Sequence, residues 1–231
     1  MIKNNAKAVI SLLTYNKLDY TRKCLMSLFN SISGDVEVVI SDNGSTDGTV
    51  EYIKSLSGIY FIDNRENLGF AKAHNQIMRF FPEADVVLLN NDVELPKDWL
   101  SELQSFIKER NLGAAGPAIK VFNGLDIGAV LDSNAKGKSI INNGPAPDWI
   151  TGSCLYITRD TINKIGFLDT RFGFYYEDVD YCLRMKKAEL KFECIPEVQI
   201  IHHNSVSPNP DKKRELMERS RKLFIHKWDW K

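Results

Sequence analysis

Val36–Thr49, VEVVISDNGSTDGT, passes from a β-branched apolar segment through a polar turn into the start of a helix. Val36, Val38, Val39 and Ile40 give Val36–Ser41 the composition of a strand. Asp42-Asn43-Gly44 follows with turn chemistry. Ser45-Thr46-Asp47 then offers capping oxygens to a helix marked by Val50, Ile53 and Leu56. A strand that hands directly over to a helix is the elementary unit of a parallel α/β sheet.

The same unit recurs on either side. Ala8–Leu13 is a compact apolar strand, and Leu18, Leu25, Leu28, Phe29 and Ile32 follow at helical spacing. Tyr60–Ile62 reads as a third strand and Gly69–Phe81 as a helix stopped by Pro82. Val86–Leu89 reads as a fourth strand, with Pro96 opening another helix. This alternation predicts an α/β fold with a mainly parallel central sheet and helices on both faces. The second half is less regular. Residues 119–148, rich in Asn, Gly, Pro, Lys and Asp, read as loops or a small hairpin. Trp149–Ile157 is expected as a strand, Tyr175–Ala188 as a helix and Val198–Ile201 as a strand leading into His202-His203. Residues 212–231 read as a charged amphipathic helix ending in Trp228-Asp229-Trp230-Lys231. No repeat or linker divides the chain, so a single domain over 1–231 is expected.

Thirty basic and thirty acidic side chains balance, so no global field favours nucleic acid. Cys24, Cys154, Cys182 and Cys194 show neither C-x-x-C pairing nor zinc spacing, and read as reduced thiols of a cytoplasmic protein. The N-terminal apolar run is too short for a signal peptide, and no segment approaches the roughly 20 apolar residues of a membrane span. Attachment at a membrane surface stays open.

In an open α/β sheet the ligand lies beyond the carboxyl ends of the strands. That rule selects Thr14-Tyr15-Asn16, Asp42-Asn43-Gly44-Ser45, Asn64-Arg65 and Asn90-Asn91-Asp92. If Gly44–Gly48 satisfies its own turn and cap, Asp42 is left to accept a hydrogen bond from a ligand such as a pyrimidine base. Asp92 can cap the next helix or supply a hard oxygen to Mg²⁺ or Mn²⁺. Such an ion would stabilise a departing phosphate. Tyr176-Glu177-Asp178-Val179-Asp180 is the densest acidic cluster outside the tail. It reads either as helix N-terminal charge or as the home of a general base. A helix N-terminus lowers a carboxyl pKa, whereas burial among Phe172, Phe174, Tyr175 and Tyr176 raises it. Of His202 and His203, strand alternation lets one face a site.

Taken in order, these segments resemble family 2 of the glycosyltransferases, inverting enzymes of GT-A fold. The similarity is strongest to a bacterial branch with rhamnosyltransferases and galactofuranosyltransferases. Its carriers are Thr14-Tyr15-Asn16, Asp42–Thr49, Asn67-Leu68-Gly69-Phe70-Ala71 with Asn75, Leu88–Asp92, Trp149–Gly152, Gly166–Asp169 with Phe172, Tyr176–Arg184 and His202-His203. The resemblance implies a GT-A-like single domain, with a donor half over 1–95, an acceptor half over 96–210 and a helical tail over 211–231. It implies that Asp42 recognises the base beside Thr14 and Tyr15, and that Asn67 and Gly69 line the donor site. Asn16, Asn43 and Asn91 count among the same nucleotide-sugar contacts. Asp92 becomes the metal carboxylate of a D-x-D element whose first Asp is Asn90 here, with His202 the favoured metal histidine. Asp178 becomes the general base, and Trp149, Gly152 and Glu177 face the acceptor. The implied function is transfer of a sugar from a UDP- or dTDP-sugar, with Mn²⁺ or Mg²⁺, to a glycan or lipid-linked acceptor in surface polysaccharide or glycan synthesis. The basic, Trp-bearing tail would meet the membrane surface.

Two other readings compete. A sugar-nucleotide pyrophosphorylase would want a Gly-rich, Arg-bearing loop where Thr14-Tyr15-Asn16-Lys17 stands. An inactive glycan- or nucleotide-binding domain would have no need of both Asp92 and Asp178.

Overall fold

A computed structural model describes residues 6–203 and 210–230. Residues 1–5, 204–209 and Lys231, the last residue of the expected tail helix, lie outside them. The first half alternates as its sequence predicts: β1 (Ala8–Thr14), α1 (Leu18–Phe29), β2 (Val36–Asp42), α2 (Thr49–Lys54), β3 (Tyr60–Asp63), α3 (Phe70–Phe80) and β4 (Asp85–Asn90). A two-residue strand β5 (Val93–Glu94) and helix α4 (Trp99–Arg110) follow. The second half contains β6 (Ala114–Val121), β7 (Gly124–Leu131), β8 (Gly137–Ile141), β9 (Cys154–Ile157), α5 (Arg159–Ile165), α6 (Glu177–Lys187), β10 (Phe192–His202) and α7 (Pro210–Trp228).

The strands form one sheet in the order β3-β2-β1-β4-β9-β6-β10-β5, with β7 and β8 as an antiparallel extension of β6. The pairings leave β9 and β5 reversed while the other strands of that path share one direction. The sheet is therefore mainly parallel. Period-two alternation sends successive side chains to opposite faces. Ala8, Ile10 and Leu12 of β1 and Val87 and Leu89 of β4 pack under α1, α2 and α4. Val9, Val86 and Leu88 pack against α3, α5 and α6. Two apolar layers thus clamp the sheet from both sides.

Several boundaries differ from the sequence reading. The strand expected over Trp149–Ile157 is confined to β9, and Trp149 makes only an isolated bridge to Ala129. The strand expected over Val198–Ile201 begins at Phe192 and carries a register shift between Ile195 and Gln199. Pro196 lies in that irregularity, where its missing N–H costs no ladder bond. The helix expected to open at Pro96 starts at Trp99, behind Asp98 in a left-handed conformation. Residues 119–148 hold the hairpin β7–β8 and the end of β6. The four cysteines are unpaired, as expected.

Register explains why the strand-end residues gather. Thr14 pairs with Asp42, Asp42 with Asp63, and Leu13 with Asn90. The chain leaves the sheet at one common edge, and the polar segments lie there side by side.

Candidate active site

A cleft of about 560 Å³ opens at this edge and is lined by Tyr15, Asn91, Asp92, Trp149, Gly152, Glu177, Asp178 and His202. Eight residues from both halves of the sequence therefore meet in one space. Thr14, Asn16, Asp42, Asn43, Asn67 and Gly69 are not among its walls. They form a hydrogen-bonded layer beside it.

In that layer one premise of the sequence reading is corrected: the turn does not leave the Asp42 carboxylate free. Its carboxylate is fully buried and already engaged. Oδ1 accepts from the Gly44 and Ser45 N–H groups at 2.9 and 2.7 Å. Oδ2 accepts from the Thr14 hydroxyl at 2.7 Å and the Ser45 hydroxyl at 2.5 Å. Four donors fill the roughly four acceptor positions of a carboxylate. The cause is local: Gly44, at φ 82°, folds the turn back onto the side chain that precedes it. Asn43 extends the layer. Its amide donates to Asn67 Oδ1 at 3.2 Å and to the Gly69 carbonyl at 3.4 Å, and it accepts from Asn64 at 3.0 Å. Asn16 Oδ1 accepts from the Thr46 N–H at 2.8 Å. Gly69 has φ 79°, and a Cβ there would stand 2.4 Å from the Gly173 carbonyl oxygen. Only glycine fits.

Asp92 and His202 meet through a small piece of sheet. β5 pairs antiparallel with the end of β10, setting Val93 opposite His202. His202 Nε2 lies 3.1 Å from Asp92 Oδ1. His203 points elsewhere: it pairs with Glu94 at 2.6 Å and packs against the Tyr20 ring. Asn91 donates its amide to the Asn16 carbonyl and the Thr21 hydroxyl, which fixes the turn leading to Asp92. Among the described residues no group of three or more His, Cys, Asp or Glu could hold a metal. The Asp92–His202 pair nevertheless fits a divalent cation. Two ligands at about 2.1 Å and a right angle stand about 3 Å apart, close to the separation seen. Phosphate oxygens and water would complete such a site.

Glu177 and Asp178 face the cleft from the first turn of α6. The turn before them is strained: Tyr175 and Tyr176 sit at φ 67° and 69°. Such residues cost roughly 1–3 kcal/mol each and persist where the surroundings over-determine them. Asp178 accepts from the Gly152 N–H at 3.0 Å and from its neighbour Val179 at 2.8 Å. Burial raises its pKa, opposed in part by these N–H groups. The competition between burial and helix N-terminus is thus decided for burial. Glu177 is pushed up to about 8 by burial and then by the charge of Asp178. Its Oε2 has no partner. Two adjacent carboxyls titrate as a pair. The N–H groups favour charge on Asp178, so Glu177 keeps the proton near neutral pH.

The remaining walls carry little signal in the sequence. Gly137 and Ser139 of β8 and Met217 of α7 line the same cleft. Trp149 lies across Gly137, where a Cβ would stand 2.2 Å from the indole. α7 is docked by its aromatic residues. Phe224 is fully buried, 5.3 Å from the Tyr176 ring centre. Trp228 Nε1 donates to Asp180 at 3.0 Å, and Trp230 Nε1 to the Asp132 carbonyl at 3.1 Å. Asp180 also pairs with Arg184 and Lys227. Both indole N–H groups are used in this packing. His74 of α3 is buried, with its pKa lowered to about 3 by desolvation.

Comparison with known proteins bears on the family and the fold. The family model described as "Glycosyl transferase family 2" matches residues 10–166. An N-acetylglucosaminyl-diphospho-decaprenol L-rhamnosyltransferase of Mycobacterium tuberculosis is 25% identical over 252 residues, covering 92% of this chain and 81% of its own. A low-salt glycan biosynthesis hexosyltransferase of Haloferax volcanii is 25% identical over 198 residues, covering 79% of this chain. The chain spans 64% of that archaeal protein. In fold it is similar to GalNAc-T7, crystallised with UDP, GalNAc and Mn²⁺, at TM-score 0.72 and 15% identity, covering 87% of this chain and 44% of the other. A mannosyltransferase of Pyrobaculum calidifontis in complex with GDP-Man and Mn²⁺ gives TM-score 0.67 and 17% identity, covering 88% and 58%.

Proposed function

Because the chain belongs to glycosyl transferase family 2 and has the GT-A fold, we propose that it moves a sugar from a nucleoside-diphosphate sugar to an acceptor hydroxyl by single displacement. The observation that carries this reading is the pairing of two unlike sites in one cleft: Asp92 with His202, and Asp178 held on the Gly152 N–H. A divalent cation, Mn²⁺ or Mg²⁺, would be held by Asp92 and His202 together with donor phosphates. When bound it would stabilise the charge growing on the leaving diphosphate.

The chain's own residues do the rest. Asp178 takes the proton of the acceptor hydroxyl as that oxygen bonds to the anomeric carbon. The bond from that carbon to the diphosphate oxygen breaks, and its electron pair leaves with the nucleoside diphosphate. Attack opposite the leaving group inverts the anomeric centre. The raised pKa of Asp178 suits a base working near neutral pH. Protonated Glu177 can donate a hydrogen bond beside it. Trp149 supplies an apolar face against which a sugar ring can pack.

On the donor side, the Asp42–Asn43–Asn67 layer shapes the base pocket, with Tyr15 at its mouth. A direct bond from Asp42 to a UDP or dTDP base requires the Thr14 or Ser45 hydroxyl to turn away. By analogy with the mycobacterial relative, the acceptor is a glycan or lipid-linked sugar of surface polysaccharide synthesis, met in the cytoplasm at the inner membrane face. Among the described residues no helix is long and apolar enough to cross a membrane.

Thermal shift against a panel of nucleotide sugars with Mn²⁺ tests the donor reading, because a ligand that binds the native state stabilises it. Anomeric analysis of the product tests the displacement. A product that keeps the donor's configuration would overturn it.

A further inference from the structure

The catalytic cleft does not end at Tyr176. Beyond it lies a second groove of about 610 Å³ between α7 and the β7–β8 turn, lined by Lys136, Tyr176, Lys213, Arg214, Glu218 and Arg221 among others. Gly137, Tyr176 and Met217 wall both spaces, so the groove continues the acceptor side of the cleft. Four cations and one carboxylate line it. The whole chain is neutral, so this positive charge is local; Arg214 is paired with Asp211 and Arg221 with Glu218, while Lys136 and Lys213 stand exposed.

Arg221 is held in place for use. Its Nε and Nη2 donate to Glu218 at 2.8 and 2.7 Å, and its Nη1 donates to the Asn134 carbonyl at 2.7 Å. A guanidinium has five N–H donors, so this clamp fixes the fork and leaves donors over for a ligand. Arg is suited to phosphate for that geometry. Lys136 and Lys213 are exposed at the groove and arrive from different elements, one from the turn before β8 and one from α7.

We propose that this groove is an anion subsite for the acceptor, and that the acceptor is a sugar carrying a phosphate or diphosphate at its reducing end. The inference rests on the transferase reading above and names the acceptor's chemical class. The sugar would lie in the cleft against Trp149 with a hydroxyl toward Asp178. Its anomeric phosphate would point past Tyr176 into the groove, toward Lys136, Lys213 and Arg221. The shared walls place the groove beside the base and on the acceptor side. The groove does not include Asp92 or His202, so the donor's own diphosphate is served elsewhere.

The test compares two probes with one sugar: octyl N-acetylglucosaminide, and N-acetylglucosaminyl diphosphate esterified with the same octyl chain. Binding is measured by calorimetry with UDP and Mn²⁺ present to fill the donor side. Wild type is expected to prefer the diphosphate probe by about tenfold or more, the order of a few exposed charge contacts. The double variant Lys136→Glu with Lys213→Glu should lose that preference while keeping its affinity for UDP and Mn²⁺. Both positions are exposed, so folding is preserved, and circular dichroism confirms it. Equal affinity of wild type for the two probes overturns the proposal, as does a preference that survives in the variant. If the variant loses binding to phosphatidylglycerol vesicles but keeps its probe preference, the groove is a membrane contact and the proposal fails. Failure of UDP and Mn²⁺ to bind wild type would instead count against the donor reading.

Discussion

The acidic edge of the cleft and the layer beside the cleft solve opposite problems. The layer around Asp42 is saturated: its carboxylate holds four hydrogen bonds, and Asn43, Asn64 and Asn67 complete one another. The edge around Glu177 and Asp178 is left unsettled. It has two left-handed tyrosines, a carboxyl oxygen without a partner and two carboxyls with raised pKa values. A satisfied network is rigid and costs little to keep in shape. An unsatisfied, strained one stores reactivity that the rest of the fold must hold in place. On the proposed function, the contrast separates a part that shapes a pocket from a part that moves a proton.

Breaking the reactive side should give the largest effect. Asp178→Asn keeps the shape and the Gly152 contact but cannot take a proton. Turnover should fall by about 10²–10⁴-fold, with nucleotide affinity near that of wild type, as read by paired kinetics and calorimetry. Near-normal turnover in this variant would move the base elsewhere. Breaking the saturated side should appear first as instability. Asp42→Ala strands the Gly44 and Ser45 N–H groups, and a loss of about 3 kcal/mol in urea unfolding is expected. Unchanged stability would mean that the loop holds itself.

The proposed metal pair lines the same cleft as Asp178. Asp92→Ala should weaken Mn²⁺ binding in the presence of nucleotide by roughly 10–100-fold, with His202→Ala next and His203→Ala near silent. Identical effects of the two histidine variants would remove the distinction their orientation draws. The smallest effect sharpens the comparison through pH. Glu177 holds its proton to about pH 8 in the folded chain, against 4.5 for an ordinary glutamate. The folded state therefore binds the extra proton between those values. The stability this contributes is complete below about pH 4.5 and is lost as pH rises through 8. Glu177→Gln should flatten that decline and raise Tm at pH 8.5 by about 2–4 °C. Because Gln resembles the protonated acid, turnover at pH 7 should change by less than about tenfold. A steeper decline in the variant would reverse the sign of this reading.

Much of this is legible in the sequence alone. Strand–helix alternation in residues 8–95 carries its own periodicity, and the strand-end rule points to Tyr15, Asn91 and Asp92 from pattern alone. The second half resisted for identifiable reasons. Gly116 and Pro117 disguise β6, which is held by β9 and β10 rather than by its own propensity. Pro196 disguises the front half of β10. Gly137, Ser139 and Met217 reach the cleft only through tertiary packing, which leaves no local signature. Asp42 is plain as a strand-end residue, but the premise that its own turn leaves the carboxylate free is not met, for a different reason. Whether a carboxylate faces a ligand or its own turn depends on the φ of Gly44, and that is a property of the fold.

The docking of α7 also has a consequence in time. Ser220 bonds the Phe174 carbonyl, Phe224 fills the space beneath Tyr176, and Trp228 and Lys227 secure Asp180, two positions beyond the proposed base. Synthesis proceeds from the N-terminus, so the sheet edge with Asp42 and Asp92 leaves the ribosome long before these residues do. A nascent chain can shape the proposed donor pocket early, yet the wall behind Tyr176 waits for the last aromatic residues of α7. On the proposed function, a chain interrupted before Ser220 would be a nucleotide binder without a braced catalytic edge.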